Sequence, residues 1–133
     1  MEWTRILLAT ANRDKVAEMA DLLRELQIGV VSSADIEGCP DVVEDQLTLA
    51  GNAVKKAVAF HRATGLPSLA DDTGLFVEAL DGAPGVFSAR FAGAGASYSN
   101  NIDRLLADLA GTPFSRRAAH FMTVMALAHD DGV

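Results

Sequence analysis

The chain has 133 residues, 50% hydrophobic and 22% charged, which suits one globular domain burying roughly two thirds of its unfolded surface and argues against disorder. Eighteen acidic residues against eleven basic leave a net charge of −7, which argues against sequence-independent binding to nucleic acid yet allows a small anion in a local cationic pocket. Cys39 is the single cysteine, so no intramolecular disulfide can form, and no apolar run is long enough for an export leader or membrane span; the expected setting is soluble and cytoplasmic.

Residues 5–10, carrying Ile6, Leu7, Leu8 and Ala9, predict a first strand that is apolar on both faces and therefore central. Val16, Met19, Leu22, Leu23 and Leu26 stand at helical spacing and predict a helix over 16–26. Gly29 is expected to end it, and a short strand to begin at 28–31. Residues 34–45 are polar and irregular. A second helix is expected over 49–63, with Thr48 as N-cap and Gly65 and Pro67 closing it.

The next apolar run holds Leu66, Leu69 and Ala70 before Asp71-Asp72, and Leu75, Phe76 and Val77 after them, and reads as a buried strand. A loop over 81–85 leads on to a third helix over 100–110, with Ile102, Leu105, Leu106 and Leu109 turned inward. Residues 118–128 read as a long strand, a helix being the alternative on composition; Met19, Met122 and Met125 look like core filler. Alternating strands and helices predict an α/β fold with a mixed β-sheet flanked by helices, a single domain over 1–133. Asp130-Asp131-Gly132 is a hairpin-turn signal with one residue after it, which predicts a truncated chain; a frayed tail is the other reading.

Two carboxylates inside an apolar strand are the main chemical signal. Burial of an unpaired carboxylate is costly, so Asp71 and Asp72 must be paired, hydrogen-bonded or metal-bound; a capped turn at a strand end is the alternative. Neighbouring strand residues point to opposite faces, so the two differ in role unless the strand bends at Gly74. Thr10-Ala11-Asn12-Arg13-Asp14-Lys15 leads into a helix N-terminus, where Arg13 and Lys15 have the wrong sign for the dipole and Asp14 offsets only part. A phosphate cradle is the better reading, and a plain Asn12 N-cap is the alternative. Glu44, Asp71 and Asp72 suit a hard ion such as Mg²⁺ rather than zinc. Lys55 reads as solvent-facing, Lys56 is not placed by spacing, His61, His120 and His129 read as structural or surface residues, and Ser88 lacks the partners of a serine hydrolase.

These pieces follow one another in a known order. Thr10-x-Asn12-x-x-Lys15, Glu44, Asn52-Ala53 with Lys56, Ala70-Asp71-Asp72-Thr73-Gly74-Leu75, and Gly82-Ala83-Pro84-Gly85-Val86-Phe87-Ser88-Ala89-Arg90-Phe91 resemble the Ham1/inosine triphosphate pyrophosphatase family across nearly the whole chain. The resemblance implies that family's fold, here without its C-terminal strands. It also implies Mg²⁺-dependent hydrolysis of ITP, dITP and XTP to the monophosphate and pyrophosphate, a house-cleaning role on small-molecule nucleotides, and a homodimer if the interface is retained.

By the same resemblance Thr10, Asn12 and Lys15 hold the triphosphate, with Arg13 and Asp14 between them as further substrate-binding candidates. Glu44 and Asp72 position Mg²⁺, and Asp72 activates water against the α-phosphorus with Asp71 in support. Lys56 neutralises phosphate charge, Thr73 touches substrate and Arg90 lines the cleft. Two features depart from the family. Gly51 stands where a glutamate is usual, weakening the helix by roughly 1 kcal/mol. The aromatic-Gly-Tyr-Asp-Pro and Ser-His-Arg segments that hold the base are absent. The competing expectation is a catalytically silent nucleotide- or pyrophosphate-binding fragment. A phosphoacceptor receiver domain fits poorly, since its acids would follow the first strand, where Thr10-Ala11-Asn12 stands.

Overall fold

The computed structural model describes residues 3–133. It divides into two compact units, one reaching to Gln46 and including Ala50–Asp72 and Met125–Val133, the other made of Leu47–Leu49 and Thr73–Val124.

In the first unit, β1 (Arg5–Leu8) is central as its composition predicted. It pairs in parallel with β2 (Gly29–Ser32) from Arg5↔Gly29 to Leu8↔Ser32, and with the start of β3 (Ser68–Val77) through Leu7↔Ser68 and Leu8↔Leu69. Ile6, Leu7 and Leu8 are all buried, as an interior parallel strand requires. The parallel pairs are joined by helices: α1 (Arg13–Leu23) leads to β2, and α2 (Leu49–Thr64) precedes β3.

Helix α1 begins three residues before the predicted start, because Asn12 caps it: its Oδ1 accepts from the amides of Asp14 (3.0 Å) and Lys15 (3.3 Å). Its apolar positions are not all inward. Val16, Met19 and Leu23 are half-buried, whereas Leu22, one residue off that stripe, and Leu26, in a following 3₁₀ turn, are exposed. Gln27 rather than Gly29 takes the left-handed turn (φ 57°), and Gly29 instead opens β2. Helix α2 matches its predicted span, and Asn52, Ala53, Ala57 and Phe60 are buried along one stripe. At the far end, His129 and Gly132 exchange backbone hydrogen bonds of 2.8 and 3.0 Å, so the Asp130-Asp131 turn signal is realised.

In the second unit, β4 (Pro84–Gly85) lies antiparallel to the later part of β3, with Leu75↔Gly85 and Phe76↔Pro84. Helix α3 (Tyr98–Asp108) starts at a capping box between Ser97 and Asn100. Leu109 is buried and Leu105 half-buried, but Ile102 and Leu106, expected inward, are exposed. The inward stripe is turned by one position onto Asn101, which accepts from the Ala92 amide and donates to the Ala89 carbonyl. Strand β5 (Ala119–Ala128) forms and pairs with β3, excluding the helical alternative. Its burial is confined to Ala126 and Ala128, so Met122 and Met125 are half exposed rather than core.

Gly74 does not bend the strand through a left-handed backbone; it admits a neighbour. A Cβ there would lie 2.5 Å from the Gly85 carbonyl oxygen and 3.0 Å from its carbon. Backbone cannot swing aside as a side chain does. Gly74→Ala is therefore expected to destabilise by about 1–3 kcal/mol, read as a lowered thermal midpoint. An unchanged midpoint would mean that β4 separates from β3 at little cost.

Candidate functional site

The first unit gathers most of the sequence-nominated residues. Thr10 and Asn12 shape the turn between β1 and α1: Thr10 Oγ1 accepts from the Asn12 amide (3.1 Å), and the Thr10 carbonyl accepts from Ser32 Oγ (2.9 Å). The Asn12 cap is therefore real, and it already engages the Asp14 and Lys15 amides. An anion arriving at this helix end would be met by side chains rather than by those two N–H groups. The cations of the first turn have partners elsewhere. Arg13 is solvent-exposed and only 3.9 Å from Asp35, a contact worth little, while Asp14 is exposed. Lys15 reaches β3 and pairs with Asp71 Oδ2 at 2.8 Å.

From Asp71 the network continues into α2. Lys56 Nζ donates to the Asp71 carbonyl (2.9 Å) and pairs with Glu44 Oε1 (2.6 Å), with the Lys56 side chain only 17% exposed. One helical lysine thus ties the acidic strand to the segment before α2. Asp72 has a different neighbour, accepting from Asn52 Nδ2 at 3.0 Å. The two carboxylates are unlike, as pleat geometry predicted.

Asn52 and Lys55 are the residues that sequence reasoning underrated. Asn52 is 1% exposed, and its Oδ1 accepts from the Gln46 amide (2.9 Å). Its signal was present as a polar side chain on the apolar stripe of a helix. Lys55, read as merely solvent-facing, donates to the Val43 carbonyl (2.8 Å) and pairs with Asp45 Oδ1 (2.6 Å). That Lys55 hydrogen bond, joined by one from Gln46, holds the Asp45 carboxyl below its ordinary range. The anchor therefore persists above the ordinary carboxylate range and is lost only as pH falls through the lowered value.

Thr73 and Arg90 belong to the second unit. Thr73 Oγ1 shares a 2.8 Å hydrogen bond with Thr123 Oγ1, and the Arg90 guanidinium lies over the Phe87 ring at 5.2 Å. Ser88 is structural, accepting from the Leu75 amide and donating to the Gly85 carbonyl. His120 stacks on Phe76, and His61 Nδ1 contacts the Leu66 carbonyl, as befits structural histidines.

Chemically, the first unit offers two lysines beside three carboxylates, a balance that would repel a bare triphosphate. Among the described residues no three of His, Cys, Asp or Glu converge to hold a metal by themselves. Mg²⁺ is commonly held by one or two carboxylates with phosphate oxygens and water completing its shell. Glu44 and Asp72 supply the right donor chemistry for that arrangement. Among the described residues no helix is long and apolar enough to cross a membrane.

The Ham1 family model matches residues 6–133. A dITP/XTP pyrophosphatase of Geobacter sulfurreducens is 44% identical over 129 residues, which are 97% of this chain and 65% of that relative. One from Desulforamulus reducens is 47% identical over 128 residues, 96% of this chain and 64% of its own length. A solved HAM1 protein from Coxiella burnetii superposes with a TM-score of 0.84 at 43% identity, covering 92% of this chain and 62% of its own. The chain thus spans a little under two thirds of the length of these relatives.

Proposed function

The chain belongs to the Ham1 family, and from that membership we propose that it hydrolyses non-canonical purine nucleoside triphosphates such as dITP, XTP and ITP to the monophosphate and pyrophosphate. The observation that carries this reading is the continuous path Lys15–Asp71–Lys56–Glu44, with Asp72 next along the strand. Phosphoryl chemistry asks mainly for positioning and charge stabilisation, and this path supplies both signs of charge on rigid elements. The relatives, dITP/XTP pyrophosphatases, supply the substrate class.

In this reading Lys15 and Lys56 take up the negative oxygens of the triphosphate, with Thr10, Asn12, Arg13 and Asp14 shaping that end of the site. Glu44 and Asp72 would hold Mg²⁺, which when bound supplies neutralising charge to the phosphate oxygens. Asp72 accepts the proton of the attacking water, the new bond forms to the α-phosphorus, and pyrophosphate leaves with the electrons of the broken Pα–O bond. Asp71 keeps Lys15 oriented. Thr73 and Arg90 are assigned to substrate contacts. The reading includes a cytoplasmic setting and a homodimer. Phe114 (92% exposed), Phe121 (75%) and Met122 (47%) supply apolar surface of the kind an interface covers.

The test is pyrophosphate release from dITP by the 133-residue chain with and without Mg²⁺, beside ATP and GTP. Mg²⁺-dependent release favouring dITP is expected. Tight dITP binding without turnover would leave a nucleotide-binding protein, and neither binding nor turnover would overturn the reading. Lys15→Ala should weaken dITP binding roughly 10- to 100-fold, the worth of a charged hydrogen bond to phosphate. Unchanged affinity, measured by titration calorimetry, would leave Lys15 as an ion-pair partner of Asp71 alone.

A further inference from the structure

We propose that Asn52 is a positioning residue that sets the spacing between Glu44 and Asp72, an inference that rests on the reading of those two as the cation-holding pair. Asn52 is a buried amide used at both ends, Oδ1 taking the Gln46 N–H and Nδ2 giving to Asp72 Oδ2. Neither contact survives a flip, since that would set NH₂ against N–H and oxygen against carboxylate. The amide therefore has one orientation, and Asp72 is met by a donor.

The other end of the amide acts on Glu44. Gln46 is two residues further along the same segment, and Lys55 pins the Val43 carbonyl just before Glu44 and the Asp45 carboxylate just after it. Glu44 is thus held between two anchors, both delivered from one turn of α2. Asn52 reaches both this strap and Asp72. Groups that orient metal-binding carboxylates typically govern metal affinity by about 10- to 100-fold.

Binding of Mn²⁺ alone, followed by water-proton relaxation, tests the inference without substrate or turnover. Wild type should bind the ion, and Asn52→Leu, which keeps size and helix propensity, should raise its Kd by about tenfold or more. Gln46→Pro removes the same link from the strap side by deleting the donating N–H. It should raise the Kd in the same direction, and it covers the case in which the Leu variant fails to fold. A weakened Mn²⁺ Kd, measured where thermal unfolding shows the variant folded, separates positioning from bulk stability. Unchanged Kd in a folded variant overturns the role of Asn52 while leaving the metal pair intact. No Mn²⁺ binding by wild type overturns both, and the wild-type trace alone distinguishes that case.

Discussion

Asp72→Asn is expected to lower dITP turnover by about 100-fold or more while the nucleotide still binds. The size follows from the role: a positioned base contributes about 10²–10⁴ in rate, and an amide cannot take the proton of the attacking water. The substitution is nearly isosteric, and its carbonyl oxygen can still accept from Asn52 Nδ2, now 3.0 Å from Asp72 Oδ2. The surrounding packing is therefore kept while the basicity goes. Steady-state kinetics with a parallel dITP titration check this. Turnover near wild type would remove Asp72 as the base, and loss of binding together with turnover would make its role one of holding substrate.

Lys56→Met is the second large effect, a fall in kcat/KM of about 100- to 1000-fold, comparable to removing one preorganised donor from a charge-stabilising site. Lys56 Nζ lies 2.6 Å from Glu44 Oε1 and 2.9 Å from the Asp71 carbonyl, and its side chain is mostly withdrawn from water. In that setting its charge is less screened than on an open surface. Methionine preserves the aliphatic stem and the helix, so the loss falls on the charge. Lys56→Arg should recover only part of the activity, because a planar fork does not reproduce a compact ammonium between a carboxylate and a carbonyl. Full activity in Lys56→Met would mean that the lysine serves only to tie Glu44 to β3.

Much of the fold was legible because its signals are local. A strand apolar on both faces had to be central, and Leu7, wholly buried between β2 and β3, is. The close of α2 was written in Gly65 and Pro67. Where the reading slipped, a neighbour outranked periodicity. Asn12 drew the start of α1 back to Arg13, Gln27 took the turn expected of Gly29, and Asn101 replaced Ile102 and Leu106 on the inward stripe of α3.

The site shows the same division. The resemblance nominated Lys15, Glu44, Lys56, Asp71 and Asp72, yet nothing in the order of residues states that Lys15 meets Asp71 across the sheet or that Lys56 meets Glu44. Such contacts depend on the parallel register of β1 with β3 and on the phase of α2. Asn52 was visible as part of a motif and silent as to purpose. Only its two hydrogen bonds reveal that it links the strap to the acidic strand.

In the proposed reaction, water attacks the α-phosphorus of a deaminated purine triphosphate under the control of Asp72. The most direct test is hydrolysis of dITP with Mg²⁺ in water enriched in heavy oxygen, with the label located by mass spectrometry. Label is expected in dIMP and none in pyrophosphate; label in pyrophosphate, or release of dIDP and orthophosphate, would rule out attack at the α-phosphorus.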